Sequence, residues 1–117
     1  MIKDIIKEIN KFASEREWDQ FHSPKNIATS ISIESAELLE CFQWSDPEVS
    51  EVLVDHKLLK SVEEEIADVM IYSLRLCSLL GSDPIEIMRS KLDNNSEKYP
   101  VDFSKGRSTK YDRTTGR

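Results

Sequence analysis

From Lys57 to Leu80 the chain runs without a glycine or proline, and Gly81 follows where a left-handed residue closes a helix. This is the longest of several helical patterns, and it sets the architecture the other segments must pack against. The whole chain holds only 3 glycines and 4 prolines in 117 residues, with 32% charged residues. That composition argues against collagenous, linker-rich or sandwich-like material and favours helix. At this length fold and site share one small core, or borrow a partner's.

The remaining pattern agrees. Ile2, Ile5, Ile6, Ile9, Phe12 and Ala13 recur on one helical face, so a first amphipathic helix is expected from residue 2 to about residue 17. Ser23-Pro24 supplies an N-cap and a first-turn proline for a second helix running to about Gln43, and Ser45-Asp46-Pro47 ends it. A short helix is expected in the next ten or so residues, before the long third one. Ser82-Asp83-Pro84 opens a fourth helix that ends near Tyr99-Pro100. Four helices joined by short connections predict an all-α four-helix bundle. We expect a single helical domain over residues 1–100 and an extended basic tail over 101–117, partly ordered at the site or at a subunit contact.

Charge narrows the function. Residues 1–90 hold 9 bases and 18 acids, net −9, whereas residues 91–117 hold 7 bases and 4 acids, net +3. A body of that sign does not attract nucleic acid by counterion release, so a phosphate ligand must arrive with metal or meet the basic tail. The apolar stretch Ile66 to Leu80 contains Asp68 and Arg75 and is too short to span a bilayer. The first residues lack the apolar run and cleavage site of a signal peptide, so a cytoplasmic protein without membrane or nucleic-acid partners is expected. Cys41 and Cys77 have no metal-ligand spacing and read as packing thiols.

Carboxylates interrupt the apolar faces. The inward stripe of the second helix runs Ile27, Ile31, Glu34, Leu38, Cys41, with Glu37 beside it. Glu34 and Glu37 stand three apart and repel by roughly 0.2 to 0.5 kcal/mol when both are ionised. Glu65 and Asp68 repeat the spacing on the third helix, where Asp68 is followed by Val69-Met70-Ile71-Tyr72. A lone buried carboxylate would neutralise or cost several kcal/mol. Two such pairs facing each other form an oxygen cage suited to hard divalent cations, Mg²⁺ or Mn²⁺. Ordinary solvated faces are the alternative, and Glu40, Glu63 and Glu64 fit it. A di-iron bundle would need an ExxH motif on two helices, which His22 and His56 do not provide.

The order Trp18…Phe21-His22-x-Pro24-x-Asn26, Glu34-x-x-Glu37-x-x-Glu40-x-Phe42-Gln43-Trp44, Glu64-Glu65-x-x-Asp68-Val69-x-Ile71-Tyr72 and Lys91-x-Asp93-x-Asn95-x-x-x-Tyr99-Pro100 resembles the MazG-like all-α nucleotide pyrophosphohydrolases, most nearly the dCTP pyrophosphatase subgroup. The resemblance implies Mg²⁺-dependent hydrolysis of a (deoxy)nucleoside triphosphate between the α and β phosphates. It implies Glu34, Glu37, Glu65 and Asp68 as metal ligands, and a homodimer or homotetramer. The expected role is dNTP house-cleaning.

Other residues take roles around that cage. Glu37 or Glu40 would orient the attacking water. Lys91, matching the fourth-helix motif, and Lys98, Lys105, Arg107 and Lys110 are candidate phosphate contacts, with a solvated basic tail as the alternative. Tyr72, one turn past Asp68, offers a hydroxyl to a phosphate or an acid, or packs in the core. Trp18 and Trp44 end the first two helices, where they could sandwich a nucleobase or serve as core or dimer anchors. Asn95 offers a donor and an acceptor to a pyrimidine edge. His22 is a turn residue that could touch phosphate or base. The chain has no phosphate loop and no GxSxG elbow. A catalytically silent helical module holding a structural cation, and binding a nucleotide or partner chain, is the competing reading.

Overall fold

The computed structural model describes residues 1–106, all-α as expected, with no strand among them. Residues 1–81 form one compact unit and a second begins at Ser82. Lys110 and Arg107, both expected at the phosphates, lie outside the described residues.

The first unit is built on α4, His56–Leu80, a rod of about 37 Å. Asp55 caps it by accepting from the Leu58 amide at 3.1 Å, and Gly81 ends it at φ +67°, where a side chain would be strained. Helix α2, Pro24–Glu40, makes the main packing with α4, and α1, Ile2–Glu15, packs on α4 as well. Ser23 caps α2 as expected, accepting from the Asn26 amide at 3.1 Å. The short α3, Val49–Val54, also leans on α4. Ala13 of α1 and Ile27 of α2 are the buried apolar side chains among the described residues of this unit. Ile31, Glu34, Leu38 and Cys41 are half-buried, so the acid-bearing stripe does face inward.

Three boundaries differ from expectation. Helix α1 stops at Glu15 rather than about residue 17, because Glu17 adopts a left-handed conformation at φ 56°, which costs a non-glycine residue roughly 1 kcal/mol. That bend starts a 3₁₀ turn, Trp18–Phe21, so Trp18 opens a new element instead of ending the first helix. Helix α2 stops at Glu40, and residues 41–44 form a turn, which places Trp44 beyond the helix.

In the second unit Asp83 caps α5, Pro84–Lys98, accepting from the Ile85 and Glu86 amides at 2.8 and 3.2 Å. The segment expected to begin the tail instead forms α6, Val101–Ser104, one short turn after Pro100. No helix among the described residues is long and apolar enough to cross a membrane.

Candidate metal centre and adjoining cavities

The packing of α2 on α4 brings the two acid pairs together. One carboxylate oxygen each from Glu34, Glu37 and Glu65 lie within 4.8 Å of one another. Asp68, one turn past Glu65, is near enough for its charge to raise the proton affinity of both Glu34 and Glu65. Glu34 Oε2 and Glu65 Oε2 are buried and have no hydrogen-bond partner. An orphaned, buried carboxylate oxygen is expensive unless a cation or proton joins it. Burial, followed by the Glu37 carboxyl beside it, pushes the Glu34 pKa up to about 7, and the same two causes raise Glu65. An all-oxygen donor set of this kind fits a hard divalent cation.

Two cavities flank the cluster on the first unit. The outer one, of about 500 Å³, is bordered by Glu37, Glu40 and Glu65 together with Lys57 and Ser61 from the first turns of α4. Glu40 is exposed and stands outside the carboxylate cluster but on the same cavity. Lys57 and Ser61 were not anticipated from the sequence. Their i, i+4 spacing ahead of Glu65 is the signal that places all three on one face.

The second cavity, of about 390 Å³, is largely aromatic and apolar, walled by Phe12, Trp18, His22, Ile71 and Tyr72 with Asp68 at its edge. Phe12 meets Trp18 edge to face at 5.6 Å, and Trp18 lies 6.3 Å from the His22 ring. The Arg16 guanidinium covers the Phe12 ring at 3.6 Å. Trp18, His22 and Tyr72 also border a third, more open cavity beside Asn26. The aromatic neighbours of Trp18 are therefore Phe12 and His22, whereas Trp44 is 89% exposed in the turn after α2 and makes no ring contact with Trp18 among the described residues.

Beneath this cavity lies a polar network that the sequence did not announce. Arg75, only 7% exposed, donates from Nε to His22 Nδ1 at 3.1 Å and from Nη1 to Asn10 Oδ1 at 2.8 Å. Its Nη2 donates to the Asp19 carboxylate. Asn10 in turn donates from Nδ2 to Ser78 Oγ at 3.2 Å. Burial, helped by the Arg75 charge and opposed by Asp19, lowers the His22 pKa and so favours the neutral imidazole. Arg75 follows Asp68 by seven residues, two helical turns along one face, and that spacing is the one local signal that could have tied it to the site.

Lys91, Asn95 and Lys98 belong to α5, and Lys105 follows α6, all in the second unit. Lys98 stands in the last turn of its helix, where a cation suits the dipole.

A model of the MazG-like family matches residues 29–113. The dCTP pyrophosphatase 1 of Mus musculus is 38% identical over 111 residues, covering 94% of this chain and 65% of that protein. The Homo sapiens dCTP pyrophosphatase 1 is 35% identical over 112 residues, with the same shares covered. The chain thus spans about 65% of the length of the curated relatives it matches. The crystal structure of a pyrophosphatase from Archaeoglobus fulgidus DSM 4304 superposes with a TM-score of 0.77 at 44% identity, over 85% of this chain and 92% of that one.

Proposed function

Because the chain belongs to the MazG-like family, we propose that it hydrolyses nucleoside triphosphates between the α and β phosphates, releasing the monophosphate and pyrophosphate. The observation that carries this reading is the pair of buried, unpartnered oxygens on Glu34 and Glu65 inside a cluster of carboxylates. Folding alone does not favour such an arrangement, and a divalent cation resolves it.

Glu34, Glu37, Glu65 and Asp68 would hold the cation, Mg²⁺ by preference and Mn²⁺ as a substitute. When bound, the metal would offset part of the negative charge shared by the carboxylates and a triphosphate, making an acidic site receptive to it. Phosphoryl-type transfer asks mainly for positioning and charge stabilisation, and no protein nucleophile is needed. Glu40, outside the cluster yet on its outer cavity, is the carboxylate left to accept a proton from an attacking water. Lys57 and Ser61 on the same cavity offer an ammonium and a hydroxyl to phosphate oxygens. Lys91, Lys98, Lys105 and Lys110 remain further phosphate candidates taken from the sequence alone, as does Asn95 for the base.

The base would enter the aromatic cavity, with Trp18 and Tyr72 as its walls and His22 as its polar contact. Relatives named dCTP pyrophosphatase support cytosine as the preferred base, and dNTP house-cleaning is the role that suits such an activity. Ile66 and Met70, one turn apart on α4, are 41% and 56% exposed, and such apolar exposure supports a homodimer or homotetramer. A cytoplasmic setting suits a nucleotide substrate.

Incubation with each dNTP and NTP, with and without Mg²⁺, tests the reading. Monophosphate plus pyrophosphate formed only with metal is expected, with dCTP fastest. Metal-dependent nucleotide binding without any product would instead establish the silent module with a structural cation.

A further inference from the structure

His22 borders both aromatic cavities, and one of its two ring nitrogens is already committed. Nδ1 accepts a hydrogen bond from Arg75 Nε at 3.1 Å. A guanidinium has five donors, no acceptor, and does not deprotonate in proteins, so the nitrogen facing it must carry a lone pair and not a hydrogen. A neutral imidazole with a bare Nδ1 has its proton on Nε2, at the opposite side of the ring. The guanidinium has little freedom to leave this position. It is nearly fully buried and tied at once to Asn10 of α1 and Asp19 of the 3₁₀ turn, so turning it away from His22 would break contacts on two other elements.

We propose that Arg75 is a positioning residue that locks His22 in the Nε2–H tautomer, so that the aromatic cavity meets a nucleobase with an obligatory donor. The base edge selected is one that presents a carbonyl oxygen or an unprotonated ring nitrogen to His22, and an amino or ring N–H at that position is rejected. The selection follows from the cost of leaving two donors opposed in a largely apolar cavity. The lowered pKa of His22 agrees, since a doubly protonated ring would turn a second N–H toward the guanidinium. This inference rests on the nucleotide reading above, but the tautomer itself is measurable with neither nucleotide nor metal.

The test begins with two-bond ¹H–¹⁵N correlation spectra of the full ¹⁵N-labelled chain near neutral pH, with His56→Gln used to assign the two histidines. The expected pattern is a single Nε2–H tautomer for His22. Arg75→Lys, which keeps a cation and a donor, should retain it, and Arg75→Met should give a mixture. Equilibrium titration with the four deoxynucleoside monophosphates then reads selectivity. Discrimination between the best and worst base should fall by at least about tenfold in Arg75→Met and in His22→Phe, with no further fall in the double variant. In turnover the loss should appear mainly in KM.

A His22 spectrum showing the Nδ1–H tautomer, or both protons, overturns the inference while leaving the hydrolysis reading intact. Undiminished selectivity in Arg75→Met does the same, and if Arg75→Met does not fold, the wild-type spectrum and a mixed His22 tautomer in Arg75→Lys still decide against it. An intact Nε2–H tautomer in a chain that neither binds nor hydrolyses any nucleotide overturns the function reading, and the base-selecting role falls with it for that separate, visible reason.

Discussion

Helix α4 carries two polar sites about 10 to 15 Å apart along its axis, one around Glu65 and Asp68 and the other at Arg75, and the protein treats them in opposite ways. Around Glu65 the neighbours are other acids, and buried oxygens on Glu34 and Glu65 have no partner. Around Arg75 the neighbours are three acceptors, one on α1 and two from the 3₁₀ turn and its capping residue, each taking a hydrogen bond from the guanidinium. A repelling cluster is completed only by charge from outside, whereas a cation already surrounded by acceptors is completed by the fold. On the function proposed above, the first site would answer to metal and substrate, and the second to packing and to the shape of the cavity beside it.

Removing charge separates them most sharply. Glu34→Gln or Glu65→Gln should lower pyrophosphate release by at least about a thousandfold, because a ligand to the charge-stabilising centre is lost. The same variants should melt no lower than wild type in a chelator, since the amide removes a repelling charge from a buried position. Activity within tenfold of wild type in both would place the metal elsewhere. Arg75→Met should behave inversely. It leaves Asn10, His22 and Asp19 without their donor and should destabilise the fold by about 2 to 4 kcal/mol, with or without metal. Denaturant titration reads this directly, and a loss that vanished on adding Mg²⁺ would erase the distinction.

The pH dependence gives a smaller effect that discriminates as well. Glu34, with its pKa raised to about 7, and Glu65, also raised, hold protons more tightly folded than unfolded. Between about pH 4.5 and about pH 7 the folded state thus binds more protons, so metal-free stability should fall as pH rises through that window and level off above it. Saturating Mg²⁺ should oppose the fall, because the ionised cluster binds metal and the protonated one does not. Melting temperatures across the window, in chelator and in Mg²⁺, check both signs. Glu34→Gln should flatten the metal-free slope and Arg75→Lys should leave it as it is.

What the sequence revealed divides along the same line. Helix α4, its glycine stop, the Ser23 and Asp83 caps and the two acid pairs are local patterns, read within one or two turns of chain. The acid pairs also betray themselves by sitting where an apolar residue belongs, so chemistry out of place was legible before any packing was known. The Arg75 network was not, because its acceptors lie 65, 56 and 53 residues away and each is an unremarkable polar residue in its own segment. The left-handed Glu17 that turns Trp18 toward Phe12 and His22 has no signal at all, since glutamate does not favour that conformation. Trp44 is a different case: its place at the end of a helical pattern suggested a base wall, a core residue or a dimer anchor, and the turn over residues 41–44 leaves it 89% exposed on the single chain, where only a base or a second subunit could cover it.

The smallest effect lies at the outer edge of the network. Asn10 presents Oδ1 to Arg75 and donates from Nδ2 to Ser78 Oγ, whose own hydroxyl donates to the Leu74 carbonyl at 3.2 Å. Ser78→Ala removes one neutral hydrogen bond and should cost about 0.5 to 1.5 kcal/mol in denaturant titration. Arg75 alone still dictates which way the Asn10 amide faces, because only an oxygen can meet its donor. Base selectivity should therefore stay within about twofold of wild type and the His22 tautomer should be unaltered. If Ser78→Ala instead loosened selectivity as Arg75→Met does, the lock on His22 would depend on the whole chain of hydrogen bonds from α1 to α4. The boundary between a site completed by ligand and one completed by packing would then have to move outward to include it.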